Sequence, residues 1–248
     1  MAKLRQICRM NGISFGEHTV TVARNSMNAW QEFADTSLPD LPVHGYLHLP
    51  PGGGADALVL THGAGANAAS PLLTAVAEAF CAAGLTVLRC DLPFRQARPH
   101  GPPPRGSAER EREGLRAAVA AVRQRGGGRI FLGGHSYGGR QASMLAADGA
   151  PDIAALLLLS YPLHPPRRPD ELRTAHFPRL KTPALFVHGS RDPFGSLEEM
   201  DAALKLISGP TRLMPVPDAG HELLTRGNRE HVAGSVVDAF LSFIETTP

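Results

Sequence analysis

Residues 129–140 read Arg-Ile-Phe-Leu-Gly-Gly-His-Ser-Tyr-Gly-Gly-Arg, with Ser136 at the centre of a Gly-x-Ser-x-Gly pattern. An apolar run, Arg129–Gly134, leads into this pattern, and a helical run, Arg140–Ala147, follows it. The context indicates a sharp turn from strand to helix that exposes the serine hydroxyl at the end of the strand. Flanking glycines allow two backbones to pass closely at such a turn. Ser136 is therefore a candidate nucleophile, and the alternative is an ordinary serine in a glycine-rich loop.

Outward from this turn, short β-rich runs alternate with helical patterns, which is typical of βαβ units. Helix starts are indicated by Ser107 as an N-cap and by a capping box at Ser196–Glu199. We predict an α/β fold in which a mostly parallel central sheet carries helices on both faces. The predicted strands are Ala57–Thr61, Leu85–Cys90, Arg129–Gly134, Ile153–Leu159, Ala184–His188 and Thr211–Val216, and the final helix runs from about Asn228 to Glu245.

The region before residue 56 has a different pattern, which predicts an antiparallel lead-in. Its predicted parts are Ile13–Ala23, an irregular segment through Trp30, and a strand at Val43–Leu49. No linker composition separates this region from the rest. We therefore predict one domain over residues 1–248, with a lead-in at 1–42 and a core at 43–245.

Composition narrows the class of protein. The 248 residues are 43% hydrophobic and 19% charged, which excludes disorder as the main state. A net charge of +2 argues against a general nucleic-acid binder. Three cysteines without a Cys-x-x-Cys pair predict neither a disulfide framework nor a zinc site. We find no secretory signal and no apolar run near the ~20 residues of a membrane span. We expect a cytoplasmic protein that uses no metal and no other cofactor.

A serine hydroxyl needs a base, and in this fold the triad order is Ser, Asp, His. Asp192 follows the predicted strand Ala184–His188, and His221 follows the predicted strand Thr211–Val216. We assign His221 as general base and then general acid, and Asp192 as the group that orients it. The alternatives are a surface histidine and a turn-forming Asp-Pro. Asp91 and Asp218 are competing acids that we rank lower.

Acyl transfer also needs two donors for the tetrahedral oxyanion. The backbone N–H after the nucleophile, that of Tyr137, is the first. The second is expected in the loop after Ala57–Thr61, where the residues His62-Gly-Ala-Gly-Ala66 are small enough for close approach of a substrate. We assign the N–H of Ala64 to this role.

These elements together resemble the α/β-hydrolase superfamily, over roughly residues 43 to 245. The segments Leu159–Pro166 and Leu185–Phe194 are similar to a branch near the dienelactone hydrolases. That branch includes a testis-expressed hydrolase-like protein and a subunit of a histone-acetyltransferase complex. The resemblance implies a serine-hydrolase fold and triad. Dienelactone hydrolases carry cysteine at the nucleophile position, where this chain has Ser136.

The predicted function is hydrolysis of a small-molecule carboxylic ester or thioester, with no nucleic-acid or membrane partner. The alternatives are a peptidase or amidase with the same triad, and a non-catalytic interaction module on the hydrolase fold. The segment His164–Leu180 lies where such folds carry a cap and is too short to form one. We therefore expect an open site, with Tyr161, His164, Arg167 and Arg168 at its rim.

Three arginines are predicted to bind a substrate carboxylate. Arg95 and Arg98 follow the strand Leu85–Cys90, and Arg140 lies about one helical turn beyond Ser136. A guanidinium group can hold a carboxylate through two parallel hydrogen bonds. The alternative is that these arginines are solvated or paired with Asp91 and nearby glutamates.

Overall fold

The computed structural model describes residues 20–24, 30–126, 128–150, 153–228 and 231–247. Within these residues nine strands form a single sheet. The strands are β1 (Val20–Arg24), β2 (Gln31–Asp35), β3 (Val43–His48), β4 (Ala57–Thr61), β5 (Thr86–Cys90), β6 (Ile130–His135), β7 (Ala155–Leu159), β8 (Ala184–Gly189) and β9 (Thr211–Val216).

The order across the sheet is β1-β2-β3-β5-β4-β6-β7-β8-β9. The first three strands pair antiparallel with each other, and β3 also pairs antiparallel with β5. All pairs from β5 across to β9 are parallel. The strands β4 and β6 are neighbours, and the connections that leave them run to opposite sides, to β5 and to β7. Ligands of open α/β sheets bind beyond the carboxyl ends of the strands at such a point.

Six helices are described: α1 (Pro71–Ala82), α2 (Pro93–Ala97), α3 (Ala108–Arg123), α4 (Tyr137–Ala147), α5 (Leu197–Leu204) and α6 (Val232–Glu245). The predicted capping box is present, since Ser196 Oγ accepts from the Glu199 N–H at 3.2 Å and Glu199 Oε2 accepts from the Ser196 N–H at 2.7 Å. Ser107 stands at the predicted N-cap position of α3, but its hydroxyl donates to the Pro104 carbonyl at 3.0 Å and forms no cap hydrogen bond with the described residues.

Apolar side chains cover both faces of the sheet. One face packs on α1 and α6, where Phe240 meets Phe80 and Phe131 edge to face at 5.6 and 5.2 Å between ring centroids. The other face packs on α3, α4 and α5. Every residue of β4 to β8 is buried, as expected for parallel strands covered on both sides. The predicted α/β fold is confirmed.

The antiparallel strands differ most from the expectation. The strand β2 lies between the irregular segment predicted through Trp30 and the predicted strand Val43–Leu49, where no element was predicted. Its inward positions include the polar Gln31 and Asp35, so no apolar alternation marks it. Of the predicted strand Ile13–Ala23, residues 13–19 lie outside the described residues, and β1 covers the remainder. Within the described part of the chain, no helix combines the length and apolarity needed to span a bilayer.

Candidate active site

The turn between β6 and α4 carries Ser136 in a strained conformation, with φ 52° and ψ −115°. The Ser136 N–H donates to the Leu159 carbonyl at 2.8 Å, so the turn is fixed to the end of β7. Close approach at this turn requires glycine, since a Cβ on Gly138 would lie 2.5 Å from the His62 carbonyl oxygen. The local sequence therefore holds the serine hydroxyl at the carboxyl edge of the sheet.

The structure brings the three predicted triad residues together from three separate loops. The Ser136 hydroxyl lies 2.8 Å from His221 Nε2. On the other side of the ring, His221 Nδ1 lies 2.8 Å from Asp192 Oδ2 and 3.1 Å from Oδ1. The Asp192 side chain is fully buried, whereas that of His221 is 17% exposed. This arrangement can pass a proton from serine to imidazole while a carboxylate orients the ring.

The two competing acids lie elsewhere. Asp91 Oδ1 accepts from the Ala68 N–H at 2.7 Å and lies 3.4 Å from His62 Nε2. Asp218 is exposed and forms an ion pair with Arg191. Neither carboxylate contacts His221.

Further residues hold the His221–Asp192 pair, and the sequence analysis did not single them out. His135 Nε2 donates to the His221 carbonyl at 2.8 Å, and burial lowers the pKa of His135, so its ring stays neutral near pH 7. The ring of Phe194 packs 4.2 Å from that of His221, and its N–H donates to Asp192 Oδ1 at 2.9 Å. The only sequence signal for His135 is its place directly before Ser136.

The loop after β4 packs against the serine turn. A Cβ on Gly63 would lie 3.4 Å from the Ser136 Cβ and 3.2 Å from His135 Nδ1, so the loop backbone reaches the nucleophile. Among the described residues, none accepts a hydrogen bond from the N–H of Ala64 or from that of Tyr137. Both predicted oxyanion donors are therefore available.

The three predicted substrate arginines have different environments. Arg95 is buried, and its guanidinium donates to main-chain carbonyls, including those of Ala64 and Ala66. These bonds compete with its predicted role in binding a substrate carboxylate. Arg98 is exposed and donates to the Pro102 carbonyl at 2.8 Å. Arg140 is half-buried, and its Nε has no hydrogen-bond partner in the described part of the chain.

The expected rim is partly wrong. Tyr161 is fully buried and donates to the Arg173 carbonyl, while His164 is 6% exposed, because both side chains pack beneath the segment that follows β7. Arg167 and Arg168 are exposed as expected. The segment between β7 and β8 contains only a single 3₁₀ turn, Phe177–Arg179, and forms no large cap.

Residues 54–246 match a family model described as an alpha/beta hydrolase domain. The chain belongs to this alpha/beta hydrolase family. The hydrolase is similar to the dienelactone hydrolase of Anabaena variabilis, at 25% identity and a TM-score of 0.68, over 87% of this chain and 99% of that chain. These findings confirm the predicted superfamily and its dienelactone-hydrolase-like branch, and they identify the chain as an enzyme.

Two further structures share the fold of this hydrolase. Est1E of Butyrivibrio proteoclasticus is 18% identical with a TM-score of 0.65, over 92% of this chain and 99% of that chain. A serine hydrolase without lid from Xanthomonas campestris is 17% identical with a TM-score of 0.61, over 96% and 100% of the two chains. In the described residues of the hydrolase, no group of three or more His, Cys, Asp and Glu side chains could hold a metal ion.

Proposed function

We propose that this hydrolase cleaves a small-molecule carboxylic ester or thioester by acyl transfer through Ser136. The observation that carries the proposal is the continuous path of 2.8 Å contacts from Asp192 through His221 to the Ser136 hydroxyl. A serine becomes a competent nucleophile when such a base accepts its proton.

In the acylation step, Ser136 Oγ bonds to the substrate carbonyl carbon while its proton passes to His221 Nε2. Asp192 orients the imidazole and stabilises the imidazolium that forms. The N–H groups of Tyr137 and Ala64 donate to the oxyanion of the tetrahedral intermediate, where preorganised donors have their largest effect. The proton then passes from His221 to the leaving alkoxide or thiolate as its bond to the acyl carbon breaks.

Deacylation repeats these steps with water as the nucleophile. His221 Nε2 accepts a proton from the attacking water, and the new bond forms between the water oxygen and the acyl carbon. The same imidazole returns the proton to Ser136 Oγ as the serine ester bond breaks. The products are a carboxylic acid and the free enzyme, and no cofactor takes part.

The test compares fluorophosphonate labelling and ester turnover in wild type and Ser136→Ala. We expect labelling to disappear and turnover to fall by ~10⁴-fold or more, because serine and histidine act as a unit. Ser160→Ala is a matched control, since Ser160 directly follows β7 with φ 48° and its buried hydroxyl has no partner in the described residues. Equal turnover in wild type and Ser136→Ala would contradict the mechanism.

The same assay separates the alternatives. A matched pair of ester and amide substrates with the same acyl group distinguishes an esterase from a peptidase or amidase, because only the latter cleaves the amide; we expect turnover of the ester alone. A wild-type protein that is not labelled by the fluorophosphonate and hydrolyses no ester would favour the non-catalytic interaction module.

A further inference from the structure

Arg95, on α2, is a buried arginine whose hydrogen bonds all go to main-chain carbonyls. The residue is 6% exposed. Its Nε donates to the Ala66 carbonyl at 2.8 Å, and its Nη2 donates to the Ala64 carbonyl at 2.9 Å. Two further bonds reach Gly101 at 3.0 Å and Arg98 at 3.3 Å. With at least four of its five N–H groups directed at carbonyls, little of the guanidinium is left for a substrate carboxylate.

The Ala64 and Ala66 carbonyls belong to the loop that carries the second proposed oxyanion donor. In a trans peptide the C=O and the N–H of the next residue lie in one plane and point in opposite directions, so a held carbonyl fixes the N–H that follows it. The Gly63 carbonyl therefore fixes the Ala64 N–H, and the Ala64 carbonyl fixes the Gly65 N–H. Arg95 holds the Ala64 carbonyl, and the preceding Gly63 carbonyl accepts from His62 Nδ1 at 2.8 Å and from the Ala66 N–H at 3.1 Å. Both peptide units that flank Ala64 are therefore fixed.

Other residues of the segment 89–95 hold the two ends of this loop. Arg89 donates to the Ala68 carbonyl at 2.6 Å, and Asp91 Oδ1 accepts from the Ala68 N–H at 2.7 Å. At the other end, the Leu92 N–H donates to His62 Nε2 at 3.1 Å. In the described residues, Arg95 is the member of this segment that bonds the middle of the loop.

We propose that Arg95 is a positioning residue that sets the oxyanion hole by holding the Ala64 and Ala66 carbonyls. The inference rests on the proposed acyl transfer through Ser136. The planar fork of arginine directs Nε and Nη2 at two separate acceptors, and the single ammonium group of lysine lacks this geometry. His62 and the Ala66 N–H hold the peptide unit that carries the Ala64 N–H, and Arg95 holds the next unit, so the backbone is fixed on both sides of the Ala64 Cα. The Ala64 N–H is thereby preorganised for the charge that develops in the transition state.

The test compares Arg95→Ala and Arg95→Lys in the full chain with Arg116→Ala, a control whose arginine is exposed on α3. Fluorophosphonate titration counts the active sites, so kcat for a neutral p-nitrophenyl ester refers to folded enzyme alone. A trifluoromethyl ketone, which forms a tetrahedral adduct with serine, measures binding of the oxyanion separately from binding of the substrate.

We expect kcat per titrated site to fall by about 10- to 100-fold in Arg95→Ala, with KM within about threefold of wild type. The inhibition constant of the ketone rises in parallel with the loss of kcat/KM. For Arg95→Lys, both kcat per site and this inhibition constant lie between the values of wild type and Arg95→Ala. Arg116→Ala resembles wild type. If Arg95→Ala yields no titratable enzyme, Arg95→Lys and Arg95→Gln supply the same comparison.

Two results would overturn the inference. Unchanged kcat per site together with unchanged ketone inhibition would mean that Arg95 has only a structural role. A raised KM with unchanged kcat would mean that Arg95 binds the substrate and does not position the oxyanion donor. A wild-type protein that neither titrates nor hydrolyses esters would refute the proposed function itself, which is a distinct outcome.

Discussion

The carboxyl edge of the sheet has two parts that use polar side chains differently. On the triad side, formed by the loops after β6, β8 and β9, side chains bond to each other, as in Ser136, His221 and Asp192. On the brace side, formed by the end of β5 and the loops after β4 and β5, Arg95 bonds main-chain carbonyls, and Arg89 bonds one carbonyl as well as the His48 and Thr74 side chains. In the proposed mechanism the triad side presents the groups that exchange protons, and the brace side holds the backbone whose N–H groups donate to the oxyanion.

This difference follows from what each group must do in acyl transfer. A base must gain and lose a proton, so the His221 ring contacts the hydroxyl that gives the proton and the carboxylate that stabilises the imidazolium. A backbone donor cannot change its chemistry, so only its position can be controlled, through the carbonyls on either side of it. Charged residues near a site therefore have two separate uses, and residue type alone does not distinguish them.

The largest expected effect separates the acids of the two sides. Asp192→Asn is expected to lower kcat by ~10³- to 10⁴-fold, because an amide cannot hold His221 in the required tautomer. Asp91→Asn, on the brace side, removes a carboxylate that accepts the Ala68 N–H and is expected to cost far less activity. Steady-state kinetics per titrated active site measures both effects.

Asp218→Asn is the control for charge loss near His221, because Asp218 is exposed and paired with Arg191. If Asp192→Asn kept nearly full turnover while Asp91→Asn or Asp218→Asn abolished it, our assignment of Asp192 as the triad acid would be wrong.

The second prediction concerns stability at acid pH and two buried histidines outside the triad, His48 on β3 beside Arg89 and His176 in the segment after β7. Burial, with a smaller effect of Arg89, lowers the pKa of His48 to about 4. Burial, with smaller effects of Arg140 and Arg179, lowers the pKa of His176 to about 4. The unfolded state binds protons near the ordinary value of ~6.5, so the free energy of unfolding falls as the pH drops from 7.

By pH 5 each of these two histidines should reduce the free energy of unfolding by roughly 2 kcal/mol. Urea unfolding between pH 7.5 and 5 measures the slope. His48→Gln and His176→Gln should each flatten it, and His44→Gln serves as a control because His44 is exposed. A slope that neither substitution changes would assign the acid sensitivity to other groups.

The smallest effect concerns Arg140, which contrasts with Arg95. The side-chain Nε of Arg140 is buried without a hydrogen-bond partner in the described residues. The main-chain N–H of Arg140 donates to the Ser136 carbonyl at 3.0 Å, so the residue lies one helical turn from the nucleophile. Burial and the neighbouring Arg140 lower the pKa of Arg173, so the positive charges of these two arginines lie close together. We predict that an ester with a free carboxylate near the acyl group reacts at least about tenfold faster in kcat/KM than its methyl-capped analogue, a difference of ~1.4 kcal/mol.

Mono-p-nitrophenyl esters of dicarboxylic acids, compared with their methyl-capped forms, provide this measurement with one leaving group. The preference should vanish in Arg140→Ala, persist in Arg116→Ala and weaken at high salt. Equal rates for the charged and capped esters in wild type would mean that Arg140 does not bind a substrate carboxylate.

Much of the fold was predictable because its signals are local. The apolar runs that became β4 to β9, the capping box at Ser196–Glu199 and the glycines around Ser136 each express a short-range rule of periodicity or backbone geometry. The order of Ser136, Asp192 and His221 follows from the same elements, since each residue lies in the loop after a strand that ends at the carboxyl edge of the sheet. The strand β2 escaped prediction because its inward positions are partly polar.

Only the tertiary structure decided which arginines hold backbone carbonyls and which do not. Arg95 and Arg140 are equally plausible ligands in the sequence, yet Arg95 meets carbonyls from a loop 29 and 31 residues earlier, whereas Arg140 Nε has no hydrogen-bond partner among the described residues. Tyr161 and His164 were expected at the rim and are buried instead. The sequence by itself determined the residues that end strands, because strand direction fixes where they lie. The partners of a long arginine side chain depend on which distant carbonyls the fold brings within hydrogen-bond distance, and no local pattern encodes that.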